Sequence, residues 1–377
     1  MEKRKLSFGQ KFNIASGQFG TMLGAGVCSG ATVRVMFVDK GGWMSPIVAL
    51  ASLVLLFAFY YLALKMARTC KINEYPVFFD NVYGKYRKFF TPISDVLILI
   101  NLLGSAAIAF AGCGSYLTQI FGTPLFIGIL LTALICVVIG FKGINFFNRV
   151  QGIMCYVMFA ILLGVYAITI FGYGWGDLVD KFTVHWLPDN YSTGTMIYWA
   201  LIFLGTYFNM VSVYIINADK FNNNKDILHT MGIGFTTNAA AIILPTIALL
   251  AFAPACMAFE LPTLYLMTDV IKFPPAEIIY SILLIFAFLT TGAGCIVTLT
   301  TRVRQLIPEK NRETSVAKIG VPTGIVVAAI LFSLVGLTTI ISSISPYTAT
   351  ASIIIIGIPV LLIAPKKIRA AQIANKS

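Results

Sequence analysis

The chain has 377 residues, of which 58% are hydrophobic and 11% charged, and its mean hydropathy is +0.87. Soluble domains carry roughly 25% charged residues, so this composition describes an integral membrane protein with many spans. The formal net charge of +12 reads as a topology signal rather than as a nucleic-acid footprint, because basic excess in a membrane protein sets orientation.

Met1–Phe12 is basic and polar, and the apolar stretch after it is long enough to span rather than to be cleaved as a signal peptide. That first span contains the most unusual run of the chain, Gly20 to Gly30, with five glycines or serines in eleven residues. Such a run weakens a helix where lipid requires every backbone group to be paired. Two readings follow: a break whose freed backbone holds ions or small polar solutes, or close helix packing through the G-x-x-x-G pairs Gly20/Gly24 and Gly26/Gly30.

Length and apolarity predict about ten spans, near 16–38, 43–66, 92–121, 124–142, 147–172, 194–217, 228–254, 277–303, 317–341 and 344–364. Between the second and third, Cys70–Phe90 interleaves apolar residues with Lys71, Lys85, Arg87 and Lys88 and is expected on the membrane surface as an amphipathic segment. With both termini on one side, that side collects 23 of the 27 lysines and arginines. The other side keeps Lys40, Lys181 and Lys272, and Arg34 lies inside span one. The positive-inside rule then puts both termini in the cytoplasm of a cell-membrane protein.

Ten spans divide into repeats of five, 1–172 and 194–365, followed by a cytoplasmic tail, 366–377. An odd number of spans per repeat inverts the second relative to the first. Span six carries small and polar residues at mid-membrane, Gly205-Thr206-Tyr207-Phe208-Asn209, as span one does. Paired interruptions in the two halves point to a transporter's binding site, so breaks are expected near Gly24–Gly26 and Gly205–Thr206. The seven cysteines show no metal-type spacing and read as buried free thiols.

The helix ends at such breaks suit a zwitterion, an amino acid or a derivative of one. Its carboxylate would meet amides near Gly26–Ser29, and its ammonium the carbonyls near Leu23–Gly24 and Leu204–Thr206. Gly24, Ala25, Gly26, Ser29, Gly205, Thr206 and Asn209 are the candidate substrate contacts, with Tyr116, Tyr207, Phe208 and Phe286 as candidate pocket walls. These aromatics equally permit a methylated ammonium or betaine. Arg34, eight residues past Gly26 and about 12 Å along the helix, is a candidate gate residue, an acidic-substrate ligand, or a side chain that snorkels to the interface.

Phe19-Gly20-Thr21-Met22-Leu23-Gly24-Ala25-Gly26-Val27-Cys28-Ser29-Gly30 resembles the first-helix motif of the YkvI-like membrane proteins. These belong to the amino acid–polyamine–organocation superfamily, whose members share the LeuT-type inverted-repeat fold, and the likeness of span count covers about 350 residues. Where that motif continues Gln-Glu, this chain has Ala31-Thr32, so no role of the glutamate transfers. In sodium-coupled members of the fold, two carbonyls of helix one meet a carbonyl and two hydroxyls of helix eight in an Ala-x-x-Thr-Ser/Thr pattern. The resemblance implies Gly20, Leu23, Ala287, Thr290 and Thr291 as a sodium site. The competing reading has the two threonines bonded to their own helix.

Relatives that place a lysine in helix five at the sodium position have no counterpart here, since Gly152–Phe171 lacks lysine. Of the acids, Asp95 and Glu277 come nearest the apolar segments, so a sodium ion is the expected coupling ion. Proton coupling or uncoupled exchange stays open, and no other cofactor is expected. The predicted fold is all-α, with helices one and six broken. A membrane enzyme lacks its clustered ionisable residues, a channel lacks a filter, and a transporter-like nutrient sensor would share the whole sequence.

Overall fold

The computed structural model describes residues 6–72, 74–141, 157–312, 314 and 316–374. Of the expected span five, 147–172, residues 147–156 lie outside them, as do Lys142 and Arg149. Helix one starts at Phe8, earlier than its apolar run suggests, and its first half ends at Met22. Helix two is Ser45–Thr69, helix three Arg87–Phe121 and helix four Leu125–Phe141. Helix five is described over Val157–Thr183.

Helix six is Thr193–Phe208 followed, after a 45° bend, by Val211–Lys220. Helix seven is Asn224–Ala251, helix eight Pro274–Leu306, helix nine Ala317–Ser333 and helix ten Leu337–Ile373. The chain is helical throughout, without a strand among the described residues. The stretch 39–45 turns helix one into helix two through Gly42, whose φ of +53° is open to glycine and strained for other residues.

The neighbours repeat with a step of five. Helix one packs on helix seven and helix six on helix two; helix three packs on four and eight on nine; helix three meets nine and eight meets four. An apolar cluster drawn from helices three, four, eight and nine, with Phe110, Ile129, Ala293 and Ala329 at its centre, forms one unit. A larger cluster holds the broken helices together with helices two, seven and ten. Small residues let helices approach closely, as where Gly128 of helix four abuts the backbone of Gly114. Outward-facing positions such as Leu134, Leu331 and Leu362 are exposed and apolar, while Asn209, Asn238 and Arg34 are buried. That distribution is the one a bilayer imposes.

Three expectations change. The segment expected to lie on the membrane surface contains a short helix, Tyr75–Tyr83, that buries Phe78 and Phe79 in the protein. Its Tyr83 hydroxyl meets Ser94 Oγ at 2.5 Å and donates to the Ile355 carbonyl at 2.7 Å. The turn between helices nine and ten sits at Gly336, φ +87°, rather than at Ser342-Ser343. Those serines lie in a wide turn, Ile340–Ile344, that carries the helix past Pro346 without the lost N–H breaking it. Residues assigned to a tail remain helical to Ala374.

Candidate functional site

Helix one breaks where its glycines begin. Gly24 has an extended backbone, φ −92° and ψ 179°, and caps a single turn, Ala25–Cys28. Its carbonyl accepts from the amides of Val27 at 3.1 Å and Cys28 at 3.0 Å, so it is engaged as a cap rather than free for an ammonium. The Ala25 amide donates to Thr291 Oγ1 of helix eight at 3.1 Å. A Cβ placed on Gly24 would stand 3.6 Å from the same hydroxyl.

A second break follows at Ser29–Gly30, where Gly30 adopts φ +81°. A Cβ there would meet Thr263 Oγ1, Leu249 and Pro262, so both conformation and space require glycine. Ser29 is buried and spends its hydroxyl locally, donating to the Gly26 carbonyl at 3.1 Å and accepting from the Ala31 amide at 3.3 Å. The Tyr280 hydroxyl donates to the Cys28 carbonyl at 2.7 Å, and the Thr263 amide to the Ser29 carbonyl at 3.3 Å. Gly26 is packed as well, because a Cβ would fall 2.3 Å from Thr32 Oγ1. The expected anion-receiving helix end is thus one turn long, and its serine is occupied.

Helix six breaks at Asn209–Met210, a turn beyond the expected Gly205–Thr206. Gly205 serves close packing instead: a Cβ there would lie 2.3 Å from the Ala349 carbonyl of helix ten. Thr206 bonds back to the Ile202 carbonyl at 2.9 Å. The Tyr207 carbonyl accepts from Tyr60 at 2.5 Å. Phe208 turns away from the break onto Phe59, with centroids 4.3 Å apart, and covers Gly357. It is a packing residue rather than a pocket wall.

Asn209 is 2% exposed. Its Nδ2 donates to Ser352 Oγ at 2.8 Å, and the Ser352 proton goes to the Thr348 carbonyl at 2.7 Å. That chain fixes the amide, and Asn209 Oδ1 stays buried without a hydrogen-bond partner. Such an acceptor is costly to bury unless a donor or cation visits it.

Of the five sodium-site candidates, Thr291 meets the break, and Ala287 is fully buried one turn earlier. Thr290 follows the competing reading and donates to the Phe286 carbonyl at 2.7 Å. Phe286 is 40% exposed on helix eight and does not wall an enclosed pocket. Gly20 lies in the last turn of the first half of helix one, and Leu23, buried, follows its last residue. Tyr116 is buried on helix three, which also packs on Ala25–Cys28.

Arg34 is buried and neither snorkels nor reaches another helix's acid. It donates to the Met257 carbonyl at 2.9 Å and to the Phe259 carbonyl, and stands 3.4 Å from Asp39 of its own helix. It therefore ties helix one to the loop between helices seven and eight. The sequence reading missed Glu260 of that loop, which accepts from Ser115 of helix three. Its signal, an acid two residues before Pro262 in an apolar stretch, was present. Asp95 is paired with Arg302 at 3.0 Å, and Lys11 with Asp226 at 2.7 Å.

Solved structures similar to this one place the architecture. A Na+-coupled sialic acid symporter, in a substrate-bound outward-open state, matches with a TM-score of 0.60 at 16% identity, over 93% of this chain and 78% of that one. The fold is the LeuT type. Mhp1, a nucleobase-cation-symport-1 family transporter, matches in its inward-facing conformation with a TM-score of 0.59 at 14% identity, over 93% and 75% of the two chains. A manganese transporter of Eremococcus coleocola matches with 0.57 at 12% identity, over 95% and 81%. These neighbours of the LeuT-type chain are transporters rather than enzymes. No family profile and no curated protein matches the sequence, so its likeness to the YkvI-like proteins rests on the first-helix motif.

Proposed function

We propose that this protein is a secondary active transporter that imports a small zwitterionic solute, an amino acid or a derivative of one, by sodium-coupled alternating access in the cell membrane, with both termini cytoplasmic. The observation that carries this reading is the contact between the Ala25 amide and the Thr291 hydroxyl, 3.1 Å across the helix-one break. It joins the two segments from which a LeuT-type ion site is built. Sodium would take the carbonyls of Gly20, Leu23 and Ala287 with the hydroxyls of Thr290 and Thr291. Both hydroxyls would have to turn, Thr291 away from Ala25 and Thr290 away from Phe286.

The solute would lie between the two breaks, its ammonium toward the unpartnered Asn209 Oδ1 and its carboxylate toward the amides around Gly26. Arg34 would act as a latch on the extracellular loop. A divalent-metal substrate is disfavoured, since no group of three or more acids, histidines or cysteines able to hold a metal occurs among the described residues. A betaine or other organic cation is the second reading, favoured by the same Asn209 oxygen together with the buried Tyr207 and Tyr116.

Thermal stabilisation of the purified protein across a panel of amino acids, decarboxylated amines and betaines, with sodium or choline, tests both. Stabilisation by an amino acid that requires sodium and is lost in Thr291→Val is the expected result. Amines that stabilise as well as their parent amino acids move the assignment to an organic cation. Transport indifferent to sodium and driven by a pH gradient overturns the coupling.

A further inference from the structure

Helix seven is polar along one side. Asp226, Thr230, Gly234 and Asn238 follow one another at four-residue steps, and all four are buried. Each step drifts about 40° around the helix, so the column occupies a sector of about 120°. Asp226 shows what that sector looks toward, since its Oδ1 holds the Lys11 ammonium of helix one at 2.7 Å. Phe235, nine residues on and half a turn round, packs on Phe57 of helix two with centroids 5.5 Å apart. Helix two therefore covers the side of helix seven opposite Asp226 and about 140° from Thr230, and Asn238 stands at its edge, about 60° from Phe235. Helices one and seven run in the same direction from the Lys11–Asp226 pair, so Leu23 and Asn238, each twelve residues further, stand level with each other at the break.

Three oxygens of the column are buried without a hydrogen-bond partner: Asp226 Oδ2, Thr230 Oγ1 and Asn238 Oδ1. Asn238 donates through Nδ2 to the Gly234 carbonyl at 2.8 Å, which leaves its oxygen as the free end. Each such acceptor is costly to leave unsatisfied in a buried place. A row of them at membrane depth, ending in a carboxylate on the basic side, is a set of ligands for a passing cation.

We propose that the seam between helix seven and the first half of helix one is the route of a small monovalent cation between the break and the cytoplasm. Asn238, Thr230 and Asp226 are its successive oxygen ligands, and Lys11 is a tethered cation that closes the mouth. This rests on the reading of the break as an ion-coupled site and adds the path by which that ion leaves.

Silver ion, a thiol-reactive monovalent cation, tests the route in inside-out vesicles, with the native cysteines' background taken from the unmodified chain. Thr230→Cys and Asn238→Cys should react above background, excess sodium but not choline should slow the reaction about tenfold, and adding Lys11→Gln should speed it. Phe235→Cys, facing helix two, should stay at background. Equal reaction at Phe235→Cys, or no protection by sodium at Thr230→Cys, overturns the route. Thr230→Cys alone decides if Asn238→Cys does not fold. Sodium-dependent stabilisation of the unmodified protein, read separately, tells a failed route from a failed sodium assignment.

Discussion

A single arginine shows how far a residue's neighbours decide its part. From the sequence Arg34 was an intramembrane charge with three readings, and the order of residues contains no sign of the loop that receives it. The carbonyls of Met257 and Phe259 come from more than 220 positions away. Replacing it by glutamine leaves Asp39 and those carbonyls short of a donor in a buried place, a change expected to cost about 3 kcal/mol. Thermal unfolding in detergent should report the loss for Arg34→Gln and a partial recovery for Arg34→Lys. The same contrast applies at the glycines. Gly24→Ala meets Thr291 at an ordinary 3.6 Å and should fold, whereas Gly26→Leu would drive a side chain into Thr32 only 2.3 Å away. Gly24→Ala is thus the variant that probes the break without harming the core, and sodium-dependent stabilisation is its readout.

At the level of the elements, the periodic apolar runs made most helices legible, because lipid demands length and apolarity of each span. What local sequence could not tell was where a helix yields. In helix six the small residue Gly205 looked like the weak point, yet it lies against the Ala349 carbonyl at a distance only glycine allows, and the chain opens a turn later at Asn209. A glycine that permits close approach and one that permits a break are identical as letters; the partner helix distinguishes them. Gly205→Ala should therefore push helix six off helix ten and destabilise the protein by about 1–3 kcal/mol. Measured thermal midpoints should fall, while bulk at the exposed Gly232 or Gly324, which face open space, leaves them unchanged. Pro346, by contrast, causes no break, since helix ten continues through it. Of the two adjacent threonines, Thr291 reaches the break and Thr290 bonds to its own helix, a division that local sequence does not reveal.

For the molecule as a whole, the neighbours repeat with a step of five, and helices one and six, which correspond in that repetition, are both interrupted. Helix one is tied at its two ends by Lys11 on Asp226 and by Arg34 on the loop after helix seven. Loosening one should favour opening at that end alone. Hydrogen exchange is expected to rise around Met257–Phe259 in Arg34→Gln and around residues 222–226 in Lys11→Gln, each without the other, and at both places in the double variant. Between those ties helix one is interrupted twice, at Gly24 and at Gly30, so that Ala25–Cys28 is a separate link with a swivel on either side. A rod with one joint transmits any tilt of its lower arm to its upper arm. A rod with two joints and a short link between them does not: here the link is held to helix eight by Ala25 on Thr291 and Tyr280 on Cys28, and each arm bends at its own joint. The inner arm is then free to tilt while Arg34 keeps the outer arm clamped, with four residues rather than the whole helix as the pivot between them.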